Sequence, residues 1–381
     1  MTKNKVLKVA TVVGTRPEII RLSRVTALLD DYVNQVIVHT GQNYDYELNE
    51  IFYTDMNIRK PDYYLNIAAS SPGSAVGDII KKTEEVLVKE KPDALLILGD
   101  TNSCLSAYMA KRMHITIFHM EAGNRCFDFN VPEEINRRIV DHISDFNLVY
   151  TEHARRHLIA EGLPQRRIYL TGSPMNEVIG FYENKIAGSK ILDELKLEKR
   201  KYFAASVHRE ENVDNPDNLA RIIASLNKVA KEYQYPVIVS THPRTMKKLK
   251  EYSNSEKLNP LIKFLKPFGF TDYIALQKNA VCVISDSGTI SEESAVLSFP
   301  AISIRRSMER PEAQDAGTII LSGLDADIIL SSIEAVIDEH SKAGCTEIPD
   351  EYNIKNTSQR VVNLILGNTR LSSEWDAIYK N

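Results

Sequence analysis

The apolar residues of this chain cluster in short runs with few polar interruptions, at 7–13, 35–38, 94–98, 116–119, 146–150 and 167–170, and again at 202–206, 236–240, 262–265, 280–284 and 301–304. A run such as Ala94-Leu95-Leu96-Ile97-Leu98 is too short for a helix and lacks the alternation of a half-exposed strand. It predicts a strand buried on both faces, the habit of parallel sheets. Segments of helical spacing lie between the runs. One begins near Pro17, whose missing N–H is not needed in a first turn, and others cover 45–53, 77–90, 103–113, 177–195 and 218–233. Strands and helices alternating through both halves predict an α/β chain of two Rossmann-like domains facing each other across a cleft. The turn formers Thr171-Gly172-Ser173-Pro174 mark the boundary, giving domains at 1–172 and 173–366. Two closing helices, at 354–366 and 372–379, are separated by Gly367-Asn368, and the tail 367–381 is expected to pack back on the first domain.

A chain of 381 residues agrees with two domains, and 43% hydrophobic with 26% charged residues is the make-up of an ordinary globular protein. A net charge of −4 gives no concentrated basic face, so nucleic acid is not an expected partner and small molecules are. Cys104, Cys126, Cys282 and Cys345 lie far apart with no Cys-x-x-Cys pair, which suggests neither a zinc site nor a disulfide framework and fits a reducing, cytoplasmic setting. The apolar run behind Lys3 and Lys5 breaks into Gly14-Thr15-Arg16-Pro17-Glu18 without a small-residue cleavage site, so it is read as a strand and not as a signal peptide. No segment approaches the roughly 20 apolar residues of a membrane span.

Ligands of open parallel sheets bind beyond the carboxyl ends of the strands. Thr15-Arg16, Gln42-Asn43, Asp100-Thr101, Glu121, His208-Arg209, His242-Pro243-Arg244 and Asp286-Ser287-Gly288 all fall at such ends. The densest stretch runs from His119 to His142 and carries Glu121, Arg125, Asp128, Glu133, Glu134, Arg137 and Arg138 around a Gly turn and a helix opened by Pro132.

Each candidate also has a plainer reading. Asp286-Ser287-Gly288 followed by a helix offers N–H groups to an anion, or is simply an N-cap. Arg16 and Arg21 suit forked contacts with phosphate oxygens, or Arg16 is a solvated turn residue. Asp100 alone reads as a helix N-cap, and Glu133 alone as a first-turn acid favoured by the helix dipole. Three carboxylates, Asp100, Glu121 and Glu133, converging on neighbouring edges favour acid–base chemistry, with Glu134 and Asp128 in support. His208 could polarise a leaving oxygen or be structural, and His242 beside Pro243 is the weaker histidine. Tyr44, Tyr46, Phe127 and Phe129 could line a sugar pocket or pack ordinarily. There is no Gly-x-Gly-x-x-Gly or Walker A pattern to hold a dinucleotide or ATP.

Taken together, Gly14-Thr15-Arg16-Pro17-Glu18, Gly99-Asp100-Thr101, Glu121-Ala122-Gly123-Asn124-Arg125, Pro132-Glu133-Glu134-x-Asn136-Arg137, His208-Arg209-Glu210, Asp286-Ser287-Gly288 and Glu309-Arg310-Pro311-Glu312 resemble the non-hydrolysing UDP-N-acetylglucosamine 2-epimerases, in family order over most of the chain. The resemblance implies a GT-B fold, a UDP-N-acetylhexosamine substrate, a homodimer, and neither metal nor other cofactor. It implies C2 inversion through a 2-acetamidoglycal in the making of surface polysaccharide precursors. It matches Asp100, Glu121 and Glu133 to the catalytic carboxylates and His208 to a histidine near the departing diphosphate. Arg16, Ser287 and Gly288 match the diphosphate site, Glu293 the uridine ribose, and Arg310 the nucleotide-sugar cleft. Arg21, Arg137 and His242 are expected among the substrate-binding groups.

The departures are informative. Arg21 stands where the commoner form has lysine, Asn102 where it has threonine, Asn124 where it has leucine and Thr289 where it has a second glycine, and Ser173-Pro174-Met175 follows the Thr-Gly turn. These resemble the branch that makes UDP-N-acetyl-L-fucosamine from its 6-deoxy epimer, so a 6-deoxy sugar competes with UDP-N-acetylglucosamine as the expected substrate. Gln42-Asn43-Tyr44 replaces a Gln-His-Arg that binds activating substrate in many members, so allosteric activation is not expected. A glycosyltransferase of the same fold and a non-catalytic nucleotide-sugar binder are the competing functions. The first would need an acceptor pocket, and the second would tolerate loss of the three carboxylates.

Overall fold

The continuous apolar runs become the central strands of two parallel sheets. The computed structural model describes residues 5–41, 53–67, 71–251, 258–343 and 348–376; the expected helix at 45–53, apart from Tyr53, the turn at Gln42-Asn43-Tyr44, Tyr46 and the end of the last helix at 377–379 lie outside them. The chain divides into two units, one reaching Phe181 and resuming at Asn353, the other Tyr182–Tyr352.

In the first unit, among the described residues, the strands are β1 (Lys8–Val13), β2 (Asn34–His39), β3 (Tyr63–Tyr64), β4 (Ala94–Leu98), β5 (Thr116–Met120), β6 (Phe146–Val149) and β7 (Ile168–Leu170). They pair in parallel in the order β3-β2-β1-β4-β5-β6-β7. Successive residues of one strand enter different cores: Val9, Val13, Leu96 and Leu98 pack with Leu22 and Val361 on one face. Ala10, Val12, Leu95 and Ile97 pack with Ile79 and Leu87 on the other. A strand flanked by helices on both sides must be apolar in both registers, which is why these runs do not alternate.

The second unit repeats the plan with β8 (Phe203–Ser206), β9 (Val237–Ser240), β10 (Ile262–Leu265), β11 (Val283–Ser285), β12 (Ala301–Ser303) and β13 (Ile320–Leu321), ordered β10-β9-β8-β11-β12-β13 and parallel. In both sheets the order reverses beside the first strand, between β1 and β4 and between β8 and β11, which creates a ligand-binding crevice at the strands' carboxyl ends in folds of this kind.

The first unit extends past Gly172 to Phe181, and the segment from Ile354 to Leu366, expected in the second domain, also belongs to it. The two expected closing helices are one, Thr357–Trp375, since a single interior glycine weakens a helix without ending it. Val361, Val362 and Ile365 of this helix enter the core of the first sheet. Arg167 secures its far end, donating to Ser372 Oγ at 2.7 Å and to Asp376 at 2.6 Å. The segment 177–195, read as helical, breaks into the helices Met175–Phe181, Glu183–Ala187 and Ile191–Leu195. Among the described residues no helix is long and apolar enough to cross a membrane.

Candidate active site

In the first unit the expected residues gather around the β1/β4 reversal. Beyond β1, Thr15 precedes the helix Arg16–Tyr32, with Arg16 half-buried in its first turn. Glu18, one turn in, folds back to accept from Gly14 N at 2.5 Å and Thr15 N at 3.3 Å, and also from the Thr101 hydroxyl beyond β4. Burial pushes its carboxyl up to about 7, against the opposing pull of the bonds from Thr101, Gly14 and Thr15.

Asp100 lies just past β4 and accepts from Arg137 Nε at 3.0 Å and from its Nη2. Asn136 supports the same turn, donating to the Asp100 carbonyl at 2.9 Å and to Asn102 Oδ1 at 3.0 Å. Arg137 belongs to the helix Pro132–Ile143 and also donates to Glu134 Oε2 at 2.7 Å. Burial would raise the Glu134 carboxyl, but the Cys126 N–H and Arg137 hold it below its ordinary range. Glu133 is half-buried in the first turn of that helix, four residues before Arg137 and so on the same side.

Glu121 follows β5 with a left-handed φ of 64°, a backbone conformation that costs a non-glycine residue and persists only where its surroundings enforce it. Its carboxylate is only 8% exposed and bonds to Arg21 Nη1. Arg21 and Arg137, expected among the substrate-binding groups, are therefore each joined to an expected catalytic carboxylate.

Sequence reasoning did not single out Glu18, His119 or Asp141. His119 is wholly buried in β5, with Nε2 2.8 Å from the Gly99 carbonyl and Nδ1 2.9 Å from Asp141 Oδ1. A histidine inside an apolar strand, followed directly by Met-Glu, was the available signal.

In the second unit, β8 leads to His208, whose exposed ring places Nδ1 3.0 Å from Asp286 Oδ1 beyond β11. Asp286 is wholly buried and accepts from the backbone N–H groups of His208 at 3.1 Å and Arg209 at 3.0 Å, and from Asn212 Nδ2 at 3.1 Å. Burial would raise this carboxyl, but His208, Asn212 and the Arg209 N–H outweigh it and hold it down to about 2. Its negative charge thus orients the His208 ring.

Ser287 and Gly288 follow, ahead of the helix Ile290–Leu297. A Cβ on Gly288 would stand 3.1 Å from Glu309 Oε1, 3.3 Å from Arg209 Nη2 and 3.4 Å from Arg310 Nη1, so polar groups close in on a bare backbone here. Arg310 donates to the Gly288 carbonyl and its Nε lies 3.2 Å from Glu292. Glu293 is buried and accepts from Gln277 at 2.7 Å. His242, beyond β9, is half-buried and its Nδ1 accepts from Arg244 N at 3.3 Å. Backbone N–H groups, a helix start and guanidinium groups at one sheet edge are equipment for a phosphate-bearing ligand.

A family model described as UDP-N-acetylglucosamine 2-epimerase matches residues 27–366. The chain is 50% identical to a UDP-N-acetylglucosamine 2-epimerase from Rickettsia bellii of known structure, with a TM-score of 0.91, over 97% of this chain and 98% of that one. The Methanocaldococcus jannaschii UDP-GlcNAc 2-epimerase, solved in complex with UDP-GlcNAc and UDP, is 33% identical with a TM-score of 0.88, covering 94% and 99% of the two chains. A UDP-N-acetylglucosamine 2-epimerase of Methanococcus maripaludis is 36% identical over 367 residues, 94% of this chain and 98% of its own. With two Rossmann-like units of GT-B type and a family match along most of its length, the chain belongs to the UDP-N-acetylglucosamine 2-epimerase family.

Proposed function

We propose that the protein inverts C2 of a UDP-N-acetylhexosamine, converting UDP-N-acetylglucosamine to UDP-N-acetylmannosamine without hydrolysis. A base takes the C2 proton, the electron pair left behind forms the C1–C2 double bond, and the C1–O bond breaks with its pair leaving on UDP. The 2-acetamidoglycal then accepts UDP again at C1 and a proton at C2 from the opposite face. Two faces call for two acid–base groups.

The observation that carries this reading is the pair of carboxylates on the adjacent strand ends of β4 and β5, Asp100 held by Arg137 and Glu121 held by Arg21. Glu133, on the same side of its helix as Arg137, is the third acid–base candidate. In the second unit, His208, oriented by Asp286, acts on the departing diphosphate oxygen. Ser287, Gly288 and Arg310 are the diphosphate candidates of the second unit and Arg16 that of the first, with Glu293 the candidate for the ribose and His242 for the nucleotide site. Donors fixed in advance at the place where charge develops lower the barrier to UDP departure. A glycosyltransferase of the same fold would not need paired carboxylates for C2. Family membership also favours the epimerase.

The same reading places the protein in the cytoplasm as a homodimer that supplies surface polysaccharide synthesis. The free thiols of Cys104, Cys126 and Cys282 agree with a reducing compartment. Sedimentation at equilibrium checks the dimer.

The reaction is tested by incubating the protein in D2O with UDP-N-acetylglucosamine and, separately, with UDP-N-acetyl-L-fucosamine while following C2 by NMR. Deuterium entering C2 with appearance of the epimer is the expected outcome, and the sugar that exchanges faster identifies the substrate. If neither exchanges and no glycal forms, the epimerase reading is wrong.

A further inference from the structure

We propose that Asp141 is the positioning residue that sets Asp100 and Glu121 in register with one another. This rests on the epimerase reading for what the two carboxylates do. Asp141 lies in the last turn of the helix Pro132–Ile143 and is wholly buried. Its side chain has two lines of contact. One runs to His119, whose Nδ1 is 2.9 Å away and whose Nε2 is 2.8 Å from the Gly99 carbonyl, the residue before Asp100. A carbonyl and a carboxylate both only accept, so the ring donates from Nε2 to Gly99 and from Nδ1 to Asp141 when it makes both contacts. The other line is direct: Gly123 N donates to both Asp141 oxygens, at 3.3 and 3.2 Å, and Arg125 Nη1 donates at 2.7 Å. Gly123 is two residues beyond Glu121.

Both turns need such a hold. Gly99, Glu121 and Gly123 have φ of 74°, 64° and 80°, all in the left-handed region. Glycine takes such a φ without strain, so contacts alone fix the turns at Gly99 and Gly123, whereas the strain at Glu121 persists only where contacts over-determine it. The tie from Gly99 N to the Met120 carbonyl, 3.0 Å, joins the two turns by backbone, and Asp141 reaches the second turn directly and the first through His119. Nor does Asp141 adjust easily. Its backbone carbonyl accepts from Asn147 at 2.9 Å, and Arg125 is braced from the far side by Glu161 at 2.6 and 2.8 Å. Burial would raise the Asp141 carboxyl, but His119 and Arg125 keep it below its ordinary range, so the pivot is an anion. A displacement of about 1 Å in a reacting group costs on the order of 100-fold in rate, which is the leverage a remote pivot has.

The test is Asp141→Asn, which keeps the shape and loses the charge, with His119→Gln as a milder variant that cuts only the line to Gly99. Three quantities are read on each: kcat and KM for C2 epimerisation, the dissociation constant of UDP, and hydrogen–deuterium exchange of peptides covering 97–103 and 119–126. Asp141→Asn is expected to lower kcat on the order of 100-fold with KM and UDP affinity within about threefold. It should also speed exchange in both peptides while leaving β8 and β11 unchanged. His119→Gln should speed exchange around Gly99 more than around Gly123. The proposal is overturned if Asp141→Asn keeps both its kcat and its exchange pattern, or if its losses come with general unfolding while folded His119→Gln matches the wild type. Should the wild type itself fail to exchange C2, the epimerase reading falls, and the peptide exchange still decides whether Asp141 holds the two turns.

Discussion

Arg21 and Glu121 stand 100 positions apart in sequence and meet as a buried ion pair, 5% and 8% exposed, that ties the first helix to the strained turn after β5. Removing one partner leaves the other charged group buried alone, which costs about 3–5 kcal/mol in such pairs. Arg21→Ala should therefore lower the urea-unfolding free energy by an amount in that range and reduce kcat as the Glu121 turn loosens. Arg21→Lys should recover part of the stability, since an ammonium can replace the contact that Nη1 makes with Glu121. A stability change under about 1 kcal/mol in Arg21→Ala would mean that Glu121 finds water or another donor.

The three carboxylates make a separable prediction. Asp100→Asn and Glu121→Gln should each cut C2 exchange in D2O by about 100- to 10,000-fold, the range lost with a positioned acid or base. UDP affinity should stay within a few fold, because the expected nucleotide groups are Arg16, which neither substitution alters, and residues of the second unit. Glu133→Gln distinguishes two roles for a half-buried first-turn acid. A loss of the same size makes it an acid–base group. A loss under about threefold leaves it a helix-start charge favoured by the dipole.

These contacts mark where sequence reading stops. The run 94–98 was legible because a strand between two helical layers is apolar in both registers, and Leu95 and Leu96 do enter different cores. The site clusters were legible because parallel topology puts strand ends, and the polar turns that follow them, on one edge. The two-residue strands Tyr63–Tyr64 and Ile320–Leu321 were not, being too short and too exposed to leave a pattern. The partners of Arg21 and Arg137 were hidden for another reason: each pairing depends on how strands distant in sequence come to be neighbours. His119 was hidden because one polar letter inside an apolar run reads as noise until Gly99 and Asp141 appear on either side of its ring.

Gly288 offers a probe of the second unit alone. Its Cβ position lies 3.1–3.4 Å from Glu309, Arg209 and Arg310, side chains that can yield by a few tenths of an ångström without disturbing the sheet. Gly288→Ala should leave the melting temperature within about 2 °C and weaken UDP binding about tenfold, roughly 1.4 kcal/mol, by filling the space in which backbone N–H groups meet the ligand. Isothermal titration with UDP measures the second, and unaltered affinity would remove Gly288 from the nucleotide site.

Glu18 predicts a slope of stability against pH. Folding raises its carboxyl from 4.5 to about 7, so between those values the folded protein keeps a proton that the unfolded chain has released. Proton retention favours the folded state, and the advantage fades as pH rises through the window, until above about 7 the full cost of a buried carboxylate is present. At 1.36 kcal/mol per unit of pKa, the wild type should lose about 2–3 kcal/mol between pH 5 and pH 8 from this group. Glu18→Gln stays neutral throughout and lacks that slope, and at pH 5 it should be close to the wild type, because a protonated carboxyl and an amide each offer one oxygen to accept from Gly14 and Thr15 and one donor toward the Thr101 hydroxyl. Urea unfolding of both proteins at a series of pH values should show the wild type falling progressively below Glu18→Gln from pH 5 to pH 8. A gap that stays constant would mean that Glu18 is ionised in the folded protein across the whole range, with the Thr101 hydroxyl and the two N–H groups stabilising the charge fully against burial.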